Sequence, residues 1–367
     1  MRALPTDDEE RRSWTQCGQS STQWVSSYPS TARGLHTSAA QFRVMACTYF
    51  GLQHPQVAAL GALPIPCRHG RGRDRISDRF GVQLGLATLP GGDWDSCHDA
   101  FERVVLADVR SAGIDMVSQP TQIFAGVVPP AAAQGPGRPT SIVPDMLGRG
   151  LRFADGYQRL RPGAPRPPPR YADRARDHMF DVKGIHRGGP SYSSASARDI
   201  RCGAVEDRAH GVHLAYRTHA RHADARFHAG RPGTAGPVET RLGEYPPVHG
   251  LVFGAYGEWS SGVEQLLHQT CAGIADRRWR AMAARSRQEA LGIVTAQVRC
   301  RWGIAACRAQ ADLTIRRITW VGAPREGPRR HAGATAAELE AVEAICLDHL
   351  EGGGVHGGPE WARTRSD

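Results

Sequence analysis

The sequence predicts an α/β fold: a mixed sheet flanked by helices, in the order helix–strand–strand–strand–helix–strand, followed by a helical extension. Three observations predict it. Between residues 96 and 258, apolar residues recur in turn at helical and at strand spacing. The run Val248–Tyr256 (VHGLVFGAY) is almost continuously apolar, as a strand buried on both faces should be. Beyond residue 259 only helical spacing recurs, opened by Ser/Thr-x-x-Glu boxes.

Residues 1–95 read as mostly irregular, with a short helix at Ala39–Phe50 and a Gly- and Arg-rich loop module over 64–95. The α/β core is expected over 96–258. Ser96 is placed to cap a helix whose apolar stripe is Phe101, Val104, Val105 and Val109, with Gly113 as its stop. Ile114–Val117 is the first candidate strand, and 125–139 is an Ala/Gly/Pro-rich loop. Ser141-Ile142-Val143 reads as a short second strand ending in Pro144-Asp145. The Pro/Arg-rich stretch 159–176 cannot be a core element, and a disordered insertion is expected near 157–176. His178–Ile185 alternates as the third strand, with Met179, Asp181 and Lys183 on one face and Phe180 and Val182 on the other. A long helix over Ala204–Phe227 turns Val205, Val212, Tyr216, Ala220 and Phe227 inward. Gly211 weakens it by roughly 1 kcal/mol relative to Ala. Val248–Tyr256 is the fourth strand. The helical extension over 259–351 opens helices at Ser261-x-x-Glu264, Ser286-x-x-Glu289 and Thr335-x-x-Glu338, with a helix or helix pair around Ile304–Ile315. Residues 352–367 read as a disordered tail.

Composition bounds the function. The 367 residues contain no run of 18 apolar ones, which argues against a membrane span. The net charge is +10, and it is uneven: 13 Arg against 3 acids over 277–330, then 2 Arg against 7 acids over 331–367. One basic face points to an anionic partner, DNA first and RNA second. Nine scattered cysteines make no C-x-x-C, and the acidic start MRALPTDDEERRSW is unlike a signal peptide. Free thiols in a reducing compartment are expected, hence an intracellular protein, nuclear or cytoplasmic and not secreted.

Of the 46 basic residues, 45 are Arg and one is Lys183. That lysine sits in Asp181-Val182-Lys183, where strand alternation puts the acid and the lysine on one face about 6–7 Å apart. If the second and third strands pair, Asp145 meets Asp181 across the ladder. Two carboxylates at a sheet end are hard oxygen ligands for Mg²⁺ or Mn²⁺. Such a cation neutralises a phosphodiester and lowers the pKa of a bound water. A lysine beside it can orient or deprotonate that water, which Arg cannot do because it keeps its proton. Coincidence sets the opposing scale: 36 acids in 367 residues put an acid two before any lone Lys about one time in ten.

Pro144-Asp145 … Asp181-Val182-Lys183 in this strand setting resembles the PD-(D/E)XK, restriction-endonuclease-like superfamily. Roughly residues 24–322 resemble the C-terminal region of certain non-LTR retrotransposon proteins. The pieces are WVSSYPST, AQFRVMACTYFGL, HDAFERVV, PD, FDVKGIH, GLVFGAYGE and the Trp279–Ser286 stretch. The resemblance implies Asp145 and Asp181 as metal ligands, Lys183 as catalytic, and Glu102 as an added acid from the first helix. It departs from the pattern in three ways. The long insertion separates the two acids. No reverse transcriptase is present; Tyr171-Ala172-Asp173 is half of a polymerase box by chance. The loop where such proteins carry a zinc knuckle offers only Cys67, His69, Cys97 and His98, whose spacing argues against structural zinc.

Blander readings stand beside these. Asp181 and Lys183 can be an exposed same-face pair. His98-Asp99 reads as a helix start with a favourable acid rather than a catalytic pair. His219 and His222 read as a polar helix face. Arg277, Arg278, Arg280, Arg285 and Arg287, with Trp279 among them, fit a nucleic-acid backbone, and a solvated face is the alternative. Three function classes follow: a metal-dependent DNA endonuclease, a nucleic-acid-binding remnant without turnover, and an interaction protein.

Overall fold

The computed structural model describes residues 36–50, 52–61, 63–65, 75–86, 93–129, 142–154, 172–185, 198–228, 234–255 and 257–322. In chain order these form α1 (Ala39–Phe50), α2 (Pro55–Ala59), β1 (Pro64–Ile65), β2 (Arg75–Ile76), α3 (Asp93–Ser111), β3 (Met116–Ser118), β4 (Met146–Leu151), β5 (Arg176–Gly184), α4 (Arg198–Phe227), α5 (Pro237–Gly243), β6 (His249–Phe253), α6 (Ser261–Arg278) and α7 (Arg287–Gly322). Short 3₁₀ turns lie at Gln83–Leu86 and Thr121–Phe124. No described helix is long and apolar enough to cross a membrane.

The fold is mixed α/β. A four-stranded sheet runs in the order β3-β4-β5-β6; β3, β4 and β5 pair antiparallel, and β5 pairs parallel with β6. A parallel pair needs a crossover, and α4 supplies it. Helices cover both faces. On one, Phe101, Val105 and Val109 of α3, Leu266 and Leu267 of α6 and Trp302 of α7 enclose Phe180, Val182, Leu251 and Phe253. On the other, Val212, Tyr216 and Ala220 of α4 and Val238 and Leu242 of α5 enclose Leu147 and Met179. The crossover helix seats closely because Gly250 has no side chain; a Cβ there would lie 2.6 Å from the Ala209 Cα.

α7 is one unbroken helix of 36 residues, about 54 Å long. The sequence divides it into two or three pieces. It stays continuous because its core-facing stripe, through Ala290, Val294, Val298, Trp302 and Ala309, never breaks. Ile293, beside that stripe, is exposed. Val44 and Met45 of α1 pack on Ile304 and Ala311, and Val57, Ile65 and Leu84 pack on Ile318 and Val321, so α7 also carries the N-terminal module. The loop expected over 64–95 contains the β1–β2 ribbon.

Several boundaries move. Ser96 does not cap α3, which begins at Asp93. Gly113, at φ +76°, does end it. The second strand is not Ser141–Val143 but Met146–Leu151, so Asp145 precedes a strand rather than ending one. Proline has no N–H to give a ladder, and pairing starts past it. The cap of α6 is Ser260, and Ser261 gives its N–H (2.6 Å) and hydroxyl (2.9 Å) to the buried Glu206 of α4. At Ser286 the hydroxyl does accept from the Glu289 N–H, 3.1 Å. The Thr335 box, the tail, most of the Pro/Arg insertion, and Cys67 and His69 lie outside the described residues.

Candidate active site

β5 sets the site. Its alternation turns Phe180 and Val182 into the core under α3 and α6, and puts Met179, Asp181 and Lys183 on the face toward α4. The antiparallel register Met146↔Phe180 places Asp145, one residue before β4, opposite Asp181. β4 ends there, so the next β5 amide on that edge lacks a strand partner. The Asp145 carboxylate supplies one: Oδ2 accepts from the Val182 N–H at 2.6 Å. The Asp145 carbonyl accepts from the Gln119 N–H at 2.7 Å. Gln119 adopts φ 47°, a left-handed conformation that costs a non-glycine residue about 1 kcal/mol.

The two acids expected as a pair are therefore together, and both are buried, Asp145 at 7% and Asp181 at 3% exposure. Lys183 reaches back along its strand, and its Nζ lies 2.7 Å from Asp181 Oδ2. The Tyr216 hydroxyl lies 3.1 Å from Asp181 Oδ1 and 3.3 Å from the Val143 carbonyl, and its single hydrogen serves one of them at a time. Glu102, from α3, is buried and accepts from the Ser118 hydroxyl at 2.8 Å.

His98 joins this group. Its Nε2 lies 2.7 Å from Asp145 Oδ2, and its Nδ1 lies 3.0 Å from Asp99 Oδ1 and 3.8 Å from Glu102 Oε2. It is not a solvated helix start. One donor atom each from His98, Asp99 and Glu102 lie within 4.8 Å of one another, a spacing that suits a cation.

Charge shapes the group. Burial works against the His98 cation, but hydrogen bonding to Asp145 and that residue's charge outweigh it and hold the imidazole up at about 9. Burial likewise opposes ionisation of Asp145, yet His98, Lys183 and the Val182 amide bring its carboxyl below the ordinary value. Asp181 goes the other way: burial first, then the Asp145 charge, raise it to about 6 against the pull of Lys183. Burial raises Glu102 as well. Tyr216 is raised well above its ordinary value by burial and by Asp181. Four carboxylates, of Asp99, Glu102, Asp145 and Asp181, face two cationic side chains, His98 and Lys183. A divalent cation fits this donor set. It would answer the Asp145 charge that adds to burial in lifting Asp181, and hard oxygens are what Mg²⁺ and Mn²⁺ take.

The arginines expected on nucleic acid are not brought to this site. Arg277, Arg278, Arg280, Arg285 and Arg287 are exposed at the corner between α6 and α7. Arg277 lies over Gly113, past the C-terminal end of α3, whereas His98 and Glu102 are near its start. Along α3 that separation is about 20 Å. Arg280 stacks on Trp279, and Arg287 pairs with Asp276 at 3.6 Å. Other arginines of the basic segment hold the fold: Arg299 on Glu264, Arg301 on Asp108, Arg317 on the Gly85 carbonyl.

Sequence reasoning reads His98 as a helix start with a favourable acid and Tyr216 as core, and offers no reading of Gln119 or Ser118. The histidine had a signal: it stands four before Glu102, one helical turn, so the two share a face. No family model, curated protein or solved structure matches the chain.

Proposed function

We propose that this chain carries a metal-dependent endonuclease-like domain that hydrolyses phosphodiester bonds in DNA, of the PD-(D/E)XK kind and derived from a retroelement protein. The observation that carries the reading is the meeting of Asp145, Asp181 and Lys183 at one end of the sheet, despite the long insertion between the two acids. The order of α3, β3, β4, β5, α4 and β6 supports it, as does the sheet order with one parallel pair. Asp145 and Asp181 would hold Mg²⁺ or Mn²⁺. Such a cation supplies charge neutralisation at the phosphodiester and a more acidic water. Tyr216 fixes the Asp181 carboxylate, and the Val182 amide fixes that of Asp145. The Lys183 ammonium, half-exposed at the mouth of the site, holds the attacking water or a phosphate oxygen. His98 balances the charge of Asp145 and holds it ionised.

A second reading, DNA binding without turnover, is favoured by one contact. His98 and the Val182 amide both sit on Asp145 Oδ2, where a cation would compete with them. Supercoiled-plasmid nicking in Mg²⁺ or Mn²⁺ decides, with Asp145→Ala and Lys183→Ala proteins of equal fold alongside. Nicking by the parent that both substitutions abolish supports the enzyme. Salt-sensitive DNA binding without nicking makes it the binding remnant, and neither activity overturns both readings.

A further inference from the structure

A groove runs beside the acid cluster, along a different ridge of α3. Ser96, Asp99, Ala100 and Arg103 form one wall, at spacings that keep them on one helical stripe, and Ala309, Asp312, Leu313 and Arg316 form the facing wall on α7. Its volume is about 330 Å³. Ala100 and Ala309 keep it open. Asp99 borders both groove and cluster, so the groove lies next to the acid site.

Both walls carry an acid four residues before an arginine, Asp99 with Arg103 and Asp312 with Arg316. On a helix such pairs ordinarily close on each other. Here neither does. Asp99 lies against His98 at 3.0 Å, and the Asp312 carboxylate accepts from the Gln41 amide at 2.7 Å. Among the described residues neither Arg103 nor Arg316 makes an ion pair, and both are exposed on the groove's rim. Asp99, itself half-exposed, and Asp312 are each held by another partner, though the Arg316 charge still acts on Asp312, and both arginines are exposed where they line a cleft beside the acid cluster.

We infer that this cleft is the path of the phosphodiester backbone into the acid site, with Arg103 and Arg316 gripping phosphates on either side of it. The inference rests on the nuclease reading for the chemistry at the end of the groove, and it names the substrate contacts that reading lacks. A planar guanidinium fork suits a phosphate, and the cleft lies about a helix ridge from Asp145, whereas the arginines at the α6–α7 corner are about 20 Å away. The substrate is a nucleic-acid strand read through its backbone, without base contacts.

The test is binding of a fluorescein-labelled duplex and of its single strand to the full chain in EDTA, by anisotropy, across roughly 50 to 200 mM salt. The doubly substituted R103Q/R316Q protein is expected to bind about tenfold more weakly. Its log–log salt slope should fall by about 1.8 on duplex and about 1.4 on single strand, two phosphate contacts' worth. R103K/R316K, which keeps the charges, should retain most of the affinity, and this separates phosphate contact from a merely structural effect. Unchanged affinity and slope in R103Q/R316Q would overturn the inference, as would absence of binding by the parent. Because EDTA removes turnover from the measurement, the two ideas fail separately. A parent that binds through these arginines but never nicks loses the enzyme and keeps the groove. A parent that nicks, with R103Q/R316Q binding normally, loses only the groove.

Discussion

Asp181→Asn should make the protein more stable while removing whatever the site does. The Asp181 carboxyl is almost wholly buried beside the Asp145 carboxylate, and its pKa rises from 3.8 to about 6. A raised carboxyl means that the folded state holds its proton more tightly than the unfolded chain does. Its contribution is therefore favourable below pH 3.8 and is lost as pH climbs toward 6. A shift of roughly two units, at ~1.36 kcal/mol each, is on the order of 2–3 kcal/mol of instability carried at neutral pH. Asparagine has nearly the same shape and no charge, and its carbonyl can still accept from the Tyr216 hydroxyl. Lys183 loses its partner, but its side chain is 36% exposed and water replaces the carboxylate at little cost. Urea unfolding followed by tryptophan fluorescence should put Asp181→Asn above the parent by 2–3 kcal/mol near pH 7.5, on the order set by that shift. The gap should close near pH 4. Mg²⁺ should close it from the other side, by stabilising the parent alone; a ligand at 100 times its Kd adds about 2.7 kcal/mol. A variant no more stable than the parent at pH 7.5, or a gap indifferent to pH, would refute the charge balance described for this site.

His98→Gln tests the opposite sign. The histidine is raised from 6.5 to about 9, so its stabilising contribution is complete below pH 6.5 and is lost as pH rises through 9. In the parent that loss is on the order of 3 kcal/mol between pH 6.5 and 9.5, and unfolding curves of His98→Gln should lack it. Gly250→Ala tests the seating of the crossover helix: a methyl 2.6 Å from the Ala209 Cα meets backbone that cannot yield, and about 1–3 kcal/mol of destabilisation should appear as a lowered urea midpoint with unchanged slope.

What could be read from the sequence was local. The Asp181–Lys183 strand alternates visibly, and the stop at Gly113 needs only the next few residues. What could not be read depends on register or on distant partners. β4, MLGRGL, carries two glycines and no β-branched residue, so its pattern is not that of a strand. Gly148 is required there, since a side chain would strike Leu151, Met116 and Phe180. Gly150 takes a positive φ where the β4–β5 register shifts. Both reasons lie in tertiary packing. Ser141–Val143 looks the better strand, which puts the acid at the end of a strand instead of before one. Asp145 meets Asp181 through the β4–β5 pairing, which no local pattern specifies.

His98 shows the same limit from the side of function. A histidine next to an acid at a helix start has an ordinary explanation, and the one local hint against it is Glu102 a turn later. Its partner, Asp145, stands 47 positions away, just before β4, and reaches it through the β4–β5 register. The arginines repeat the lesson in reverse. Counting them singles out 277–330 as the basic face, yet Arg299, Arg301 and Arg317 are spent inside the protein. The two that line the groove beside the acid site lie on different helices, Arg103 on α3 and Arg316 on α7. In a chain that uses Arg for 45 of its 46 basic residues, charge density measures composition first. An exposed guanidinium at the mouth of an acid cluster, with its helical acid partner already engaged elsewhere, is better evidence for a polyanion than any count.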